Sequence, residues 1–196
     1  ILWTGRFVEL KHPEYALEAA KRLKGENIDF RLNFIGMGPE QDKMQDFIDN
    51  NNLNDNVKIL GSMPTHEVQK HMDNADIALF TSDRREGWGA VVNEAMVGGC
   101  AVVASSLAGS SKVLIENGIN GFVYNHPDKE EFIGYVVKLA KDKELRQKIG
   151  KNANKSMIEK WNGTEGAKRL INISSAILNE QCLPEYESGP CSIAKD

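Results

Sequence analysis

The sequence predicts an α/β protein in three layers, α/β/α, built around a parallel sheet of about six strands. Three observations predict it. Short apolar runs recur at 1–5, 30–36, 57–61, 77–82, 101–105 and 121–124. The stretches between them carry apolar residues at helical spacing. No internal repeat or low-complexity segment interrupts the alternation. Strand, helix and strand in that rhythm imply right-handed crossovers and a sheet covered on both faces.

The elements follow in order. ILWTG (1–5) is apolar from its first residue, and a domain seldom begins inside a strand, so the chain reads as a fragment that continues upstream. A helix starts near Pro13, because the amide hydrogen that proline lacks has no partner at a first helical position. Tyr15, Ala16, Ala19, Ala20 and Leu23 give that helix its apolar stripe, and Gly25 ends it. FRLNFIG (30–36) is the second strand, followed by Gly36-Met37-Gly38-Pro39 and a helix with Met44, Phe47 and Ile48 on one side. VKILG (57–61) is the third, and Thr65 is the expected cap of a short helix that turns Val68 and Met72 inward.

The fourth strand, Ile77 to Ser82, passes through a charged loop and a Gly87-Trp88-Gly89 turn into a helix closed by Gly98 and Gly99. AVVAS (101–105) is the fifth and leads to a Gly109-Ser110-Ser111 turn; GFVY (121–124) is the sixth. Asp128 is the expected cap of a helix that buries Phe132, Ile133, Val136, Val137 and Leu139. Two more helices are expected over 142–160 and 164–178. Residues 1–180 therefore read as one domain, and 181–196, without periodicity, as a loose irregular tail.

A chain of 196 residues with 41% hydrophobic content can bury one sizeable core. Its formal charge of −4 gives no reason to expect nucleic acid or an acidic membrane as partner. No apolar run is long enough for a membrane span, and no signal peptide opens the chain. Cys100 begins an apolar strand, while Cys182 and Cys191 have neither disulfide nor zinc spacing, which fits a reducing, intracellular setting. His12, His66, His71 and His126 lack metal spacing and read as surface or cap residues. No strand ends in an Asp-x-Asp pair of the kind that holds a divalent ion on a nucleotide diphosphate. No metal and no cofactor are expected.

Ligands of such sheets bind beyond the carboxyl ends of the strands. There Glu86 precedes the glycine turn, and Glu94 follows eight residues later, about a turn and a half into the helix. The amides from Gly87 to Val91 open that helix, where unpaired N–H groups and the positive dipole end suit a phosphate. Carboxylates do not bind phosphate; they accept hydrogen bonds from hydroxyls. Phosphate-binding amides between two hydroxyl-binding acids match a nucleotide sugar, with ribose at one end and the transferred sugar at the other. The plainer reading, that acids favour a helix N-terminus, accounts for one of the pair more readily than for both.

Arg6 and Lys11 follow the first strand on the same rim. As a glycosidic bond to a pyrophosphate breaks, charge builds on the leaving group, and fixed cations there stabilise the transition state more than the ground state. Each alone also reads as a solvated charge, as do Arg84 and Arg85 in the loop. Gly36-x-Gly38 lacks the third glycine of a dinucleotide fingerprint, since Gln41 stands there, and reads as room for close helix and ligand approach. Met63 either flanks a base or belongs to the core.

Gly5-Arg6, Lys11-x-Pro13-Glu14, Gly36-x-Gly38-Pro39, Val57 to Gly61 and Ala75-Asp76 share the chain with Glu86-Gly-Trp-Gly-x4-Glu94-Ala95-Met96. Gly98, Ala101-Val102-Val103-Ala104 and Asn117-Gly118-x2-Gly121 continue the pattern. Over residues 1–178 this resembles the Rossmann-like, donor-binding C-terminal domain of retaining glycosyltransferases of the GT-B fold, specifically glycosyltransferase family 4, the group 1 type. The spacing of Glu86 and Glu94 in that setting is its most specific part.

The resemblance implies an enzyme of the retaining hexosyltransferase type, working without metal in bacterial-type polysaccharide or glycolipid synthesis. Arg6 and Lys11 would hold the diphosphate with the amides of Gly89, Ala90 and Val91; Glu94 would bind the ribose; Glu86 would hold the transferred sugar and place its anomeric carbon. Glu86, Arg6 and Lys11 are thus the catalytic candidates. Gly5, Met63, Gly87 and Trp88 join them in the expected donor site. The donor would be a UDP- or GDP-sugar. The acceptor would sit on an N-terminal domain absent from this chain, so the fragment alone is expected to bind donor and transfer nothing. The resemblance also implies a cytoplasmic location, with peripheral contact to the inner membrane face through the absent half. His12 stands where the family often has Gly, and Lys112 where it often has an acid. The alternatives are a nucleotide-sugar-binding module without turnover and a GT-B-type sugar-nucleotide epimerase, against which the Glu86–Glu94 pattern argues.

Overall fold

The computed structural model describes residues 1 to 193; the last three residues of the expected tail lie outside the described residues. Six strands form one parallel sheet: β1 (Leu2–Thr4), β2 (Leu32–Ile35), β3 (Val57–Ile59), β4 (Ile77–Phe80), β5 (Ala101–Ser105) and β6 (Phe122–Tyr124). The spatial order is β3-β2-β1-β4-β5-β6. Every pairing is parallel, with Trp3 opposite Phe34 on one side and Leu79 on the other. Every strand but β5 is shorter than its apolar run, because pairing stops where the chain turns out over the sheet edge.

Alternation sends side chains of each strand to opposite faces. Trp3, Leu32, Phe34, Leu79, Val103 and Phe122 meet α1 (Pro13–Gly25), α2 (Gln41–Asn50) and α6 (Lys129–Lys141). Ala78, Phe80, Val102 and Ala104 meet α4 (Ala90–Val97), α5 (Gly109–Leu114) and α7 (Lys143–Glu159). Leu2 and Ile35 meet Met72 of α3 (Thr65–Asp73). Trp3, Phe7 and Phe34 lie with ring centroids 5.6 to 6.3 Å apart at the centre of the first face. Tilted aromatic pairs of this kind add roughly 0.5–1.5 kcal/mol each beyond their burial.

Side chains cap the starts of α6 and α7. Asp128 accepts from the Glu131 amide at 2.9 Å and Asp142 from the Leu145 amide at 2.8 Å. Thr65, the expected cap of α3, is instead the first helical residue; Pro64 occupies the cap position with extended backbone, and no side chain caps the turn. The serine turn expected at Gly109 is the first turn of α5, a helix that the polar run of short side chains concealed. Val137 is half-buried rather than in the core, because α6 packs through Phe132, Ile133, Val136 and Leu139. No helix among the described residues is long and apolar enough to cross a membrane.

Beyond the sheet, α8 (Gly163–Leu178) buries only Ala176 fully. Residues 179–193 carry no helix or strand, yet 186–190 are held against α8 rather than loose. The Arg169 guanidinium donates to the carbonyls of Ser188 at 2.6 Å and Pro190 at 3.1 Å and stacks over the Tyr186 ring at 4.4 Å.

The glycines after β2 serve loop packing. A Cβ on Gly36, whose φ is 145°, would stand 1.8 Å from the Gly5 carbonyl oxygen; one on Gly38 would stand 2.3 Å from the Phe7 oxygen. The loops after β1 and β2 can therefore exchange bonds directly, from Gly5 N to Ile35 O and from Phe7 N to Met37 O, both at 3.0 Å. Gly36→Ala is expected to cost at least ~2 kcal/mol in urea unfolding, from overpacking and strained backbone together. Gly134→Ala, in α6 with no heavy atom within 4 Å of the new methyl, is expected to stabilise by up to ~1 kcal/mol. Equal effects at the two positions would contradict this account of the loop contact.

Candidate functional site

The strand order reverses between β1 and β4, so the chains leaving those strands diverge to opposite faces and leave a crevice between them. Polar contacts stitch its two walls together. The Asp83 amide donates to the Leu10 carbonyl at 2.9 Å. Trp3 Nε1 donates to Thr81 Oγ1 at 2.9 Å, and Thr81 Oγ1 donates to the Lys11 carbonyl at 2.5 Å. Lys11 Nζ contacts Glu86 Oε2 directly, and Ser82 Oγ donates to the same oxygen at 3.2 Å. The two charged side chains are 20% and 18% exposed, so their attraction is much less screened than that of a surface pair.

Downstream of Glu86 the turn is fixed from one side. The carbonyls of Gly87 and Trp88 accept from the amides of Gly109 at 3.0 Å and Ser110 at 2.9 Å, and Ser110 Oγ donates to the Gly89 carbonyl at 3.1 Å. Gly89 caps α4 in the left-handed region, φ 84°, where a Cβ would come 2.6 Å from the Phe80 ring. With the carbonyls engaged, the amides from Gly87 to Val91 have no protein acceptor among the described residues. They are the open end of the helix dipole.

Glu94, on the second turn of α4, is half-buried, and among the described residues no hydrogen bond or ion pair engages its carboxylate. Arg6 is exposed and likewise unpaired among the described residues. Gly5 lies in the loop after β1 with its amide spent on the Ile35 carbonyl. Met63 is half-buried against Leu2, Ile35 and Met72, a cluster that Val91 also borders, so it belongs to the edge of the core next to the start of α4. Trp88 is exposed, its Nε1 donating to Asn93 Oδ1 at 2.8 Å. Lys112, on α5, is exposed.

A second charged chain braces the loop that carries Glu86. Arg85 grips Asp83 through Nε and Nη2, at 3.0 and 2.7 Å. His12 Nε2 lies 3.5 Å from the same carboxylate, and His12 Nδ1 lies 2.8 Å from Glu14. His12 adopts φ 45° at the start of α1, and its ring packs against His126, whose ring in turn stacks on Tyr15. His12 thus stands at the cap position of α1, though no side-chain bond caps the helix, and His126 is half-buried; burial, with His12 alongside, pushes His126 below the usual imidazole range. The Arg85 guanidinium holds Asp83 at about 2, against partial burial that pulls the other way.

Sequence reasoning missed Trp3, Thr81, Ser82 and the bracing role of His12 and Asp83. Their partners lie up to 78 residues away, and only the carboxyl-end position of Thr81 and Ser82 on the fourth apolar run marked them as rim residues.

Residues 1–156 match the family model described as glycosyl transferases group 1. The chain is 25% identical over 178 residues to the putative colanic acid biosynthesis glycosyltransferase WcaL of Salmonella typhimurium, covering 88% of this chain and 44% of that protein. It therefore spans less than half the length of this curated relative. Among solved structures, Anabaena HepE in complex with UDP superposes with a TM-score of 0.75 at 23% identity, over 89% of this chain and 48% of that one. The C-terminal domain of a glycosyl transferase group 1 family protein, LpcC of Francisella tularensis, superposes with a TM-score of 0.72 at 24% identity, over 80% of this chain and 83% of that one. These structural likenesses establish the GT-B type of fold.

The depressed Asp83 value has a pH consequence. A carboxyl whose folded pKa lies below its unfolded value adds stability that is complete above the unfolded value, ~3.9, and is lost as pH falls toward about 2. Carboxyl NMR titration is expected to place the Asp83 midpoint near 2, and Arg85→Ala to return it to the ordinary range. An ordinary midpoint in the parent protein would rule out the Arg85 grip.

Proposed function

This chain belongs to the glycosyl transferases group 1 family, and from that premise we propose that residues 1–180 are the donor-binding domain of a retaining enzyme of glycosyltransferase family 4. The observation that carries the reading is the crevice itself. Lys11 and Glu86 meet across it, beside amides that have no protein acceptor among the described residues, with the Glu94 carboxylate on the same helix likewise open among them.

The roles divide by chemistry. The amides from Gly87 to Val91, with Lys11 and Arg6, take the diphosphate. Glu94 accepts from the ribose hydroxyls, and Glu86, released from or shared with Lys11, accepts from hydroxyls of the transferred sugar. Met63 and Gly5 shape the wall beside the amides. When the bond between the anomeric carbon and the β-phosphate oxygen breaks, the electron pair stays on that oxygen, and the cations and helix dipole stabilise it. The acceptor hydroxyl forms the new bond to the anomeric carbon and passes its proton to the departing phosphate oxygen. Charge neutralisation by Arg6, Lys11 and the amides leaves no step that calls for a divalent metal or a cofactor. The Anabaena neighbour's complex with UDP makes a UDP-sugar the first donor to try, with a GDP-sugar second.

A second domain, carried upstream, supplies the acceptor side; the 44% share of the WcaL length favours this. The colanic acid biosynthesis in the WcaL name favours polysaccharide synthesis as the setting; the cytoplasm or the inner membrane face is the location that goes with this reading. The chain alone then binds donor without transferring sugar.

Calorimetric titration of the 196-residue chain with UDP and GDP tests the reading; heat is expected with one of them, and a folded sample silent to both would refute the site. Glu94→Ala is expected to weaken bare nucleotide about ten-fold, the value of a lost charged hydrogen bond. Glu86→Ala is not expected to weaken it, and should matter once the sugar is attached. Equal losses for the bare nucleotide would overturn the division of roles.

A further inference from the structure

We propose that Thr81 is a positioning residue for the donor site: held by Trp3, its hydroxyl fixes the backbone of Lys11 and so the place of the lysine ammonium in the crevice. The proposal rests on Lys11 as a diphosphate contact.

The direction of the relay is dictated by its ends. The Trp3 indole N–H can only donate, and the Lys11 carbonyl can only accept, so the single Thr81 proton has one place to go. Trp3 is 2% and Thr81 1% exposed, which leaves no solvent to stand in for either bond. The backbone on the other side of Thr81 is pinned too, since Tyr124 Oη donates to the Thr81 carbonyl at 3.4 Å.

Lys11 needs an outside anchor. It ends a single 3-10 turn (Glu9–Lys11), and the next residue, His12, takes φ 45°, so no regular element sets the geometry of this corner. A lysine stem is flexible, and the ammonium is held in register only as well as its Cα. The hydroxyl ties that Cα to β1 and β4 together, the two strands on which the crevice is built. Thr81 is too deeply buried to touch a donor, so any effect on nucleotide passes through Lys11.

The test compares UDP and GDP affinity of the full chain with those of Thr81→Val, Thr81→Ser, Lys11→Met and the Thr81→Val/Lys11→Met pair. Thr81→Val keeps the shape and removes the proton; it is expected to weaken the nucleotide about ten-fold, while Thr81→Ser, which keeps the proton, stays within about two-fold. The double variant is expected to bind no worse than Lys11→Met alone, because both changes act on one contact. If Thr81→Val does not fold cooperatively, Thr81→Cys, of similar size and a poor donor, replaces it with the same expectation. The proposal is overturned if the Val variant matches the parent, if Ser loses as much as Val, or if the losses in the double variant add. A neutral Lys11→Met, or a folded parent chain that binds neither nucleotide, instead removes the functional reading beneath it and the proposal with it.

Discussion

Parallel strands cannot be joined by tight turns, and the site on this chain descends from that constraint. Each strand must return through a helix, so every chain leaves the sheet at the same edge. One reversal of order, between β1 and β4, then parts two of those outgoing chains. Residues as distant as Lys11 and Glu86 face each other because they occupy the walls of that parting. The backbone alone makes the crevice; the side chains decide what it holds.

What it holds is a balance of charge with two gaps. Lys11 is matched by Glu86, and Asp83 by Arg85 with His12 behind it. Partly buried charges are costly unless paired, so these matches stabilise loops that have no regular structure of their own. Arg6, after β1, and Glu94, on α4, are left open among the described residues, as are the amides that begin α4. A ligand with separated anionic and hydroxyl-bearing parts fits those openings better than a uniformly charged one. On the proposed reading Arg6 and Glu94 can meet a ligand as they stand, whereas Lys11 and Glu86 must first loosen or share their own pairing.

Periodicity was enough to find the six strands and the α-helices other than α5, because burial on one or both faces writes itself into neighbouring residues. Spacing around the glycine turn was enough to single out Glu86 and Glu94. The contacts that assemble the walls were not legible. The Trp3–Thr81 and Lys11–Glu86 pairs span 78 and 75 residues, and no local pattern encodes a partner at that distance. Gly36 and Gly38 were legible as points of close approach, but the approaching group is the neighbouring loop rather than a ligand. The serine-rich start of α5 looked like a turn because short polar side chains suit both, and tertiary contact with the Gly87–Gly89 carbonyls decides between them.

The place of β1 in the middle of the sheet bears on how the domain comes into being. Its neighbours are β2, near at hand, and β4, whose residues are made about seventy-five positions later. A ribosome adding roughly 5–20 residues per second delivers that second neighbour several seconds after β1 has emerged. Until then the edge of β1 that will face β4 is an apolar strand with open backbone groups. A strand at the centre of the finished sheet is thus the one with the longest exposed adolescence, a natural client for whatever shields nascent chains.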